Sequence, residues 1–266
     1  MKSGRVRAQD WQALFHLAGD LSDAPSGVVE GGLHLLLERL CRIIGTRGGY
    51  WFSGAQVMNG KAAGDLLCGW RPTYTFLSDP EPSAEEMWQR WAAYAPNYLF
   101  DPCSQAVIRG YGQHRAFLRR QLVDDRTWEH SAMFNELLRP LGIGDRLNAA
   151  FNVRPDVEVF VGLDRNAGER PFGVREREML RAAIEGLGWF HRRMLSELEL
   201  TDAISTLTPR ERQMLPLLLS GRSEKQIARA LGLAVYTTNF YVARIYRKFH
   251  VHSRVELMAL WLPGSK

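Results

Sequence analysis

Three four-residue boxes near the C-terminus restrict this chain more than any other feature. Thr208-Pro209-Arg210-Glu211, Ser223-Glu224-Lys225-Gln226 and Ser253-Arg254-Val255-Glu256 each open on a hydroxyl and close on Glu or Gln. Such a hydroxyl accepts a hydrogen bond from a free N–H of the first helical turn, and the acid or amide reaches back to the N-cap N–H. Pro209 suits the first helical position, where no N–H is needed. Apolar residues at helical spacing follow each box, so the stretch from Leu207 to Trp261 reads as four short helices, three of them with capped starts.

Two of these helices form a pair. Residues 223–233 and 235–249 are separated by the tight turn Gly232-Leu233-Ala234. Ile227, Ala228 and Leu231 supply the inner face of the first helix. Thr238, Val242, Ile245 and Phe249 fall on one stripe of the second. Its remaining face carries Tyr236, Asn239, Phe240, Ala243, Arg244, Arg247 and Lys248, a positive and partly aromatic surface that suits a major groove. Residues 201–266 hold ten Lys or Arg and four Asp or Glu, a net +6, whereas the whole chain is +5. A basic tail on a near-neutral body points to a polyanion partner for the tail alone.

The body, residues 1 to about 200, follows a different pattern. Residues 8–21 and 27–44 place apolar side chains on one helical face, and Gly45 ends the second helix. Gly48 to Phe52 reads as a strand, and Leu66 to Phe76, interrupted by Pro72, as a weaker one. Ser83-Ala84-Glu85-Glu86 opens a helix carrying Met87, Trp88, Trp91 and Tyr94. Residues 103–122 and 126–140 read as helical. Leu147, Ala149, Phe151 and Val153 alternate with Asn148, Ala150 and Asn152, and Val157, Val159 and Val161 with Glu158, Phe160 and Gly162. Arg154-Pro155-Asp156 between them is turn chemistry, so these runs form a hairpin. Phe172 to Leu200 reads as one long helix. The fold class expected is an α+β N-terminal domain, an antiparallel sheet with flanking helices over residues 1–200, followed by an all-α domain over residues 201–266.

Several classes of function find no support. The three cysteines form no CxxC and the chain has no metal-ligand spacing, which fits a reducing cytoplasm without a zinc site. No apolar run approaches the ~20 residues of a membrane span, and the N-terminus has no apolar segment of a secretory signal. GxSxG, HExxH, GxxxxGK[ST] and GxGxxG after a strand are all absent, so no enzyme, metal or cofactor is expected. The histidines lie scattered over different elements, and Asp124-Asp125 fits a helix start better than an acid–base pair. Trp51, Trp70, Trp88, Trp91, Trp128 and Trp189 fill a core or line a small-ligand pocket.

Residues 207–261 resemble the LuxR/GerE-type tetrahelical helix-turn-helix through LTPRER, the Ser223 to Leu233 run, the Thr237-Thr238 … Ile245-Tyr246-Arg247-Lys248-Phe249 run and Val251-His252-Ser253-Arg254-Val255-Glu256-Leu257. The resemblance implies a transcription regulator whose second paired helix enters the major groove of double-stranded DNA. It places Asn239 and Ala243 at base edges, with Tyr236, Thr237 and Phe240 beside them. It gives Lys225, Arg244, Arg247, Lys248 and Arg254 as phosphate partners. The last helix, Ser253 to Trp261, commonly forms a two-fold contact there, so a homodimer is implied. Ala234 stands where the family usually has Ser, and Thr238, Asn239 and Tyr241 replace a usual Val, basic residue and His. Residues 27–190 resemble the GAF/PAS-like sensor domains of the same superfamily. Trp88 … Tyr94 … Tyr98 … Asp101-Pro102 is similar to the pattern of domains that bind acyl-homoserine lactones in quorum sensing. Carried over, Trp88 and Asp101 would bond the ligand, with Tyr94 and Trp128 nearby. A sigma-factor-like protein that docks on RNA polymerase is the alternative, followed by an enzyme with a DNA-binding tail.

Overall fold

The computed structural model describes residues 5–25, 28–56, 70–78, 90, 101–198, 207–249 and 251–259. Two long helices come first, α1 (Ala8–Asp23) and α2 (Val29–Ile44), and the αL residue Gly45 caps α2 with its N–H on the Cys41 carbonyl. Strands β1 (Gly48–Gln56), β2 (Trp70–Ser78), β3 (Arg115–Leu118), β4 (Ile143–Arg154) and β5 (Val157–Asn166) form one antiparallel sheet in the order β2-β1-β5-β4-β3. The expected hairpin is β4–β5, with Leu147 opposite Leu163 and Phe151 opposite Val159.

Alternation along the strands builds two different faces. Trp51, Leu147, Ala149, Phe151, Val159, Val161 and Leu163 point to α1, α2, α6 (Val174–Gly186) and α7 (Gly188–Glu197), in the main core. The alternate residues Phe52, Ala150 and Phe160 meet Val107 of α3 (Pro102–Ile108) and Phe117. The second face is therefore covered as well, and Arg146, Asn148, Glu158 and Asp164 are buried on it.

The expected helices were corrected in two places. Residues 103–122 are not one helix: α3 ends at Ile108, a turn through Gly110 and Gly112 follows, and β3 then pairs with β4 before the short α4 (Arg119–Leu122). Glu158 under β3 causes this, because its carboxylate holds the Arg115 guanidinium at 3.0 and 2.8 Å and also takes the Gly112 N–H. The stretch 172–200 is likewise not one long helix, since Leu187 leaves helical geometry at φ −96°, ψ 22° and divides α6 from α7. Between α5 (Asp125–Glu129) and β4 lies a wide helical turn, Met133–Leu138. The expected strand start at residue 66 and the helix from Ser83 lie outside the described residues.

Four helices close the chain: α8 (Pro209–Leu219), α9 (Glu224–Leu231), α10 (Val235–Lys248) and α11 (Arg254–Ala259). The boxes at Thr208 and Ser223 close in both directions, whereas at Ser253 the Glu256 carboxylate reaches one residue further back, to the His252 N–H. Thr208 Oγ1 accepts from Glu211 N, Ser223 Oγ from Gln226 N, and Ser253 Oγ from Glu256 N. Gly232 adopts φ 64°, a left-handed value that a side chain would strain, and so turns α9 sharply into α10.

Candidate nucleic-acid interface and ligand cavity

Helix α10 is seated by its apolar stripe. Thr238, Val242 and Ile245 are buried, and α10 packs on both α8 and α9. The opposite face is open. Tyr236 is 84% exposed and Phe240 54%, with Asn239, Ala243 and Arg247 also exposed around them. Thr237 is half-buried at the edge of that face. Lys225 of α9 is exposed, and Arg254 of α11 is half-buried. Ala234 occupies the N-cap of α10 in extended geometry and offers its N–H groups no side-chain acceptor.

Arg244 and Lys248 stand apart from the other cations of α10. Both turn toward Glu211, whose side chain is completely buried beneath them. Lys248 Nζ donates to Glu211 Oε2 at 2.6 Å, and the Thr208 N–H donates to the same oxygen at 2.7 Å. Arg244 Nε lies 3.1 Å from Oε1, near enough for charge pairing but without the alignment of a hydrogen bond. Burial pushes the Glu211 carboxyl up. The bonds from Lys248 and Thr208 outweigh that and hold it below its ordinary value. Glu211 thus closes a capping box and also joins α8 to α10. Its place in the box is visible in the sequence, whereas its cation partners, a helix-turn-helix away, are not.

The covered face of the sheet holds the second feature. A cavity of about 60 Å³ lies between Tyr50, Phe52, Thr75, Leu77 and Arg146 of the sheet and Ser104, Val107, Met133, Leu137 and Leu138 of the covering segments. Its wall is apolar apart from a few placed polar groups. Tyr50 donates its hydroxyl hydrogen bond to Asn148 Oδ1. Arg146 donates to both oxygens of Asp164 at 2.6 and 2.7 Å, and its guanidinium lies 4.7 Å from the Tyr50 ring centre. Burial pushes the Tyr50 hydroxyl up to about 12, so it is protonated at neutral pH. The ring fits because residue 162 is Gly: a Cβ there would meet Tyr50 Cε1 at 2.1 Å.

Of the residues carried over for a ligand, Asp101 and Trp128 do not line this cavity. Trp88 and Tyr94 lie outside the described residues. Asp101 is buried, but its carboxylate is the N-cap of α3. Oδ1 accepts from Cys103 N and Ser104 N, and Oδ2 accepts from Met133 N at 2.9 Å. It ties together two wall segments from behind. Trp128 packs on Phe134, 5.1 Å between ring centres, under the Arg119 guanidinium. It lines a separate open cleft with His130 and Arg139. Sequence reasoning missed Tyr50, Arg146 and Asn148, whose alternation with core residues was their one signal.

Residues 205–261 match the family profile described as bacterial regulatory proteins, luxR family. The chain is 31% identical over 123 residues to the monoamine regulon transcriptional regulator of Klebsiella aerogenes, covering 43% of this chain and 53% of that protein. It is 36% identical over 92 residues to the nitrate/nitrite response regulator protein NarP of Escherichia coli (strain K12), covering 32% of this chain and 43% of that protein. The chain spans about half the length of these relatives. Among solved structures it is similar to Escherichia coli SdiA, at 14% identity and a TM-score of 0.48, covering 94% of this chain and 95% of that one. No helix among the described residues is long and apolar enough to cross a membrane. The profile match coincides with helices α8 to α11, and this chain therefore carries a helix-turn-helix domain of the luxR family at its C-terminus.

Proposed function

We propose that this protein is a cytoplasmic transcription regulator that binds duplex DNA through α10 as a homodimer. We further propose that its N-terminal domain, residues 1–200, senses a small molecule and that residues 201–266 read the operator. The observation that carries the reading is the division of α10: one stripe is buried, and the opposite face presents Tyr236, Phe240, Ala243 and Arg247 to solvent. Aromatic and methyl groups on that face suit thymine methyls, while Lys225, Arg247 and Arg254 suit phosphates. Arg244 and Lys248 share the charge of Glu211, so they count for less in the electrostatic term.

The test is fluorescence anisotropy of the full-length protein on duplex DNA as salt is raised. Three phosphate contacts per subunit, about six per dimer, give a slope of log K against log salt of about −5. Salt-insensitive or undetectable binding sinks the DNA reading. For the cavity, the expected ligand has an apolar body and one group that hydrogen-bonds near Ser104, Thr75 or Tyr50. Native mass spectrometry of protein purified from its host then shows a retained mass that Val107→Trp removes. Retention of the same mass by that variant would place the ligand elsewhere.

A further inference from the structure

We propose that Glu224 makes Asn239 a hydrogen-bond acceptor only, so that α10 takes adenine or cytosine, and not adenine alone, at the base it faces. This rests on the DNA-binding reading above and adds to it the residue that sets one position of the sequence preference.

Asn239 is exposed on the flank of α10 that faces the start of α9. With its amide turned to satisfy its neighbours, Nδ2 donates to Glu224 Oε2 at 3.0 Å and to the Val235 carbonyl at 3.1 Å. An amide nitrogen has two hydrogens, and both are then spent inside the protein. A carboxylate accepts more strongly than a neutral group, so a base nitrogen does not readily displace it. Glu224 also sits in the first turn of α9, where the helix dipole favours its negative charge. What remains to Asn239 is Oδ1, with its lone pairs.

This changes what the residue reads. The bidentate pairing of Asn with adenine needs one amide hydrogen on N7 and the oxygen on the N6 amine. With no hydrogen available, Oδ1 can only accept. In the major groove adenine offers its N6 amine and cytosine its N4 amine, whereas guanine and thymine present acceptors at the corresponding edge. The residue one turn on, Ala243, has no donor to restore the distinction. Asn239 held by Glu224 therefore admits A and C and rejects G and T.

The experiment uses the full-length protein and a randomised duplex pool. Selected sequences are counted, and affinities are then measured on single-base variants of the best site. Asn239→Ala identifies the base pair concerned as the one whose preference disappears. At that pair the wild-type protein binds A and C within about threefold and G or T about tenfold more weakly, the smaller end of what one good base contact discriminates. Glu224→Ala frees an amide hydrogen, and C becomes about tenfold weaker than A. Glu224→Gln removes the same charge but keeps an acceptor at the same reach, so it moves the A-to-C ratio less than Glu224→Ala does. The inference is overturned by a wild-type protein that already prefers A to C tenfold, by an A-to-C ratio that Glu224→Ala leaves unmoved, or by equal shifts in both Glu224 variants, which would make charge the cause. It is also overturned if Asn239→Ala alters no single base position. Failure of the DNA reading itself looks different, because the wild-type protein then retains no duplex from the pool.

Discussion

Replacing Glu211 by Gln removes one charge from the centre of the helix-turn-helix domain while keeping the side chain's size and a carbonyl that can accept from Thr208 N–H. The wild-type carboxylate is fully buried and takes the Lys248 ammonium at 2.6 Å. A hydrogen bond between charged partners contributes about 1.5–3 kcal/mol. Arg244 is 42% exposed and regains water when the charge is lost, so its share is at most about 1 kcal/mol. Breaking a fully buried pair costs about 3–5 kcal/mol, but both cations reach solvent here, which brings the expected loss down to about 2–3 kcal/mol. For a domain this small each kcal/mol lowers Tm by about 4–8 °C, so the C-terminal transition falls by on the order of 10–20 °C. The measurement is differential scanning calorimetry of the full-length protein, with Glu211→Gln and Lys248→Met combined in a double-mutant cycle. The expected coupling is about 1.5 kcal/mol or more. Additivity within about 0.3 kcal/mol would refute the reasoning, because the carboxylate would then gain nothing from Lys248. The acid limb gives a second check. The folded carboxyl titrates below its ordinary 4.5, so its stabilisation is present above that pH and is lost as pH falls through the folded value. The Gln variant lacks that part of the acid dependence.

Three further perturbations follow from the geometry. Ala234→Ser supplies the acceptor that the start of α10 lacks and raises stability by about 1 kcal/mol, read as a higher Tm of the C-terminal transition. Gly162→Ala drives a Cβ into the Tyr50 ring. It costs about 1–3 kcal/mol in urea unfolding, with loss of any molecule retained in the cavity. His191 is buried against Trp51, whose Nε1 lies 3.2 Å from its Nδ1, and burial lowers its pKa from 6.5 to about 3. The unfolded chain therefore binds a proton that the folded one refuses between those values. Stability falls as pH drops from 6.5 toward 3, by about 1.4 kcal/mol per unit from this group. His191→Phe flattens urea midpoints measured at pH 7, 6 and 5.

The C-terminal helices were legible because their signals are local. A capping box and its helix lie within one turn of each other, and the 3.6-residue stripe of Thr238, Val242 and Ile245 states which face is buried. The β4–β5 hairpin was legible for the same reason, as two alternating runs joined by a turn. The strand Arg115–Leu118 was not, because four residues show no alternation and their pairing depends on Glu158, 43 residues away from Arg115. A long helix over 172–200 was expected, whereas Leu187 leaves helical geometry and the next residue, Gly188, sits where a Cβ would meet the Phe151 ring at 2.5 Å, a contact that spacing along the chain does not display.

The sequence alone determined that four helices, three with hydroxyl-capped starts, end the chain, that one face of α10 is positive and aromatic, and that an antiparallel hairpin lies in the body. Only the tertiary structure decided which polar groups meet. Glu211 shares its one negative charge between two cations expected at phosphates, Glu224 holds Asn239, and Asp101 caps α3 behind the cavity that Tyr50 and Arg146 line. Helix and strand starts depend on neighbours within about four residues, which a sequence displays. A side chain's hydrogen-bond partners come from whichever segments pack against it, and spacing along the chain does not record that.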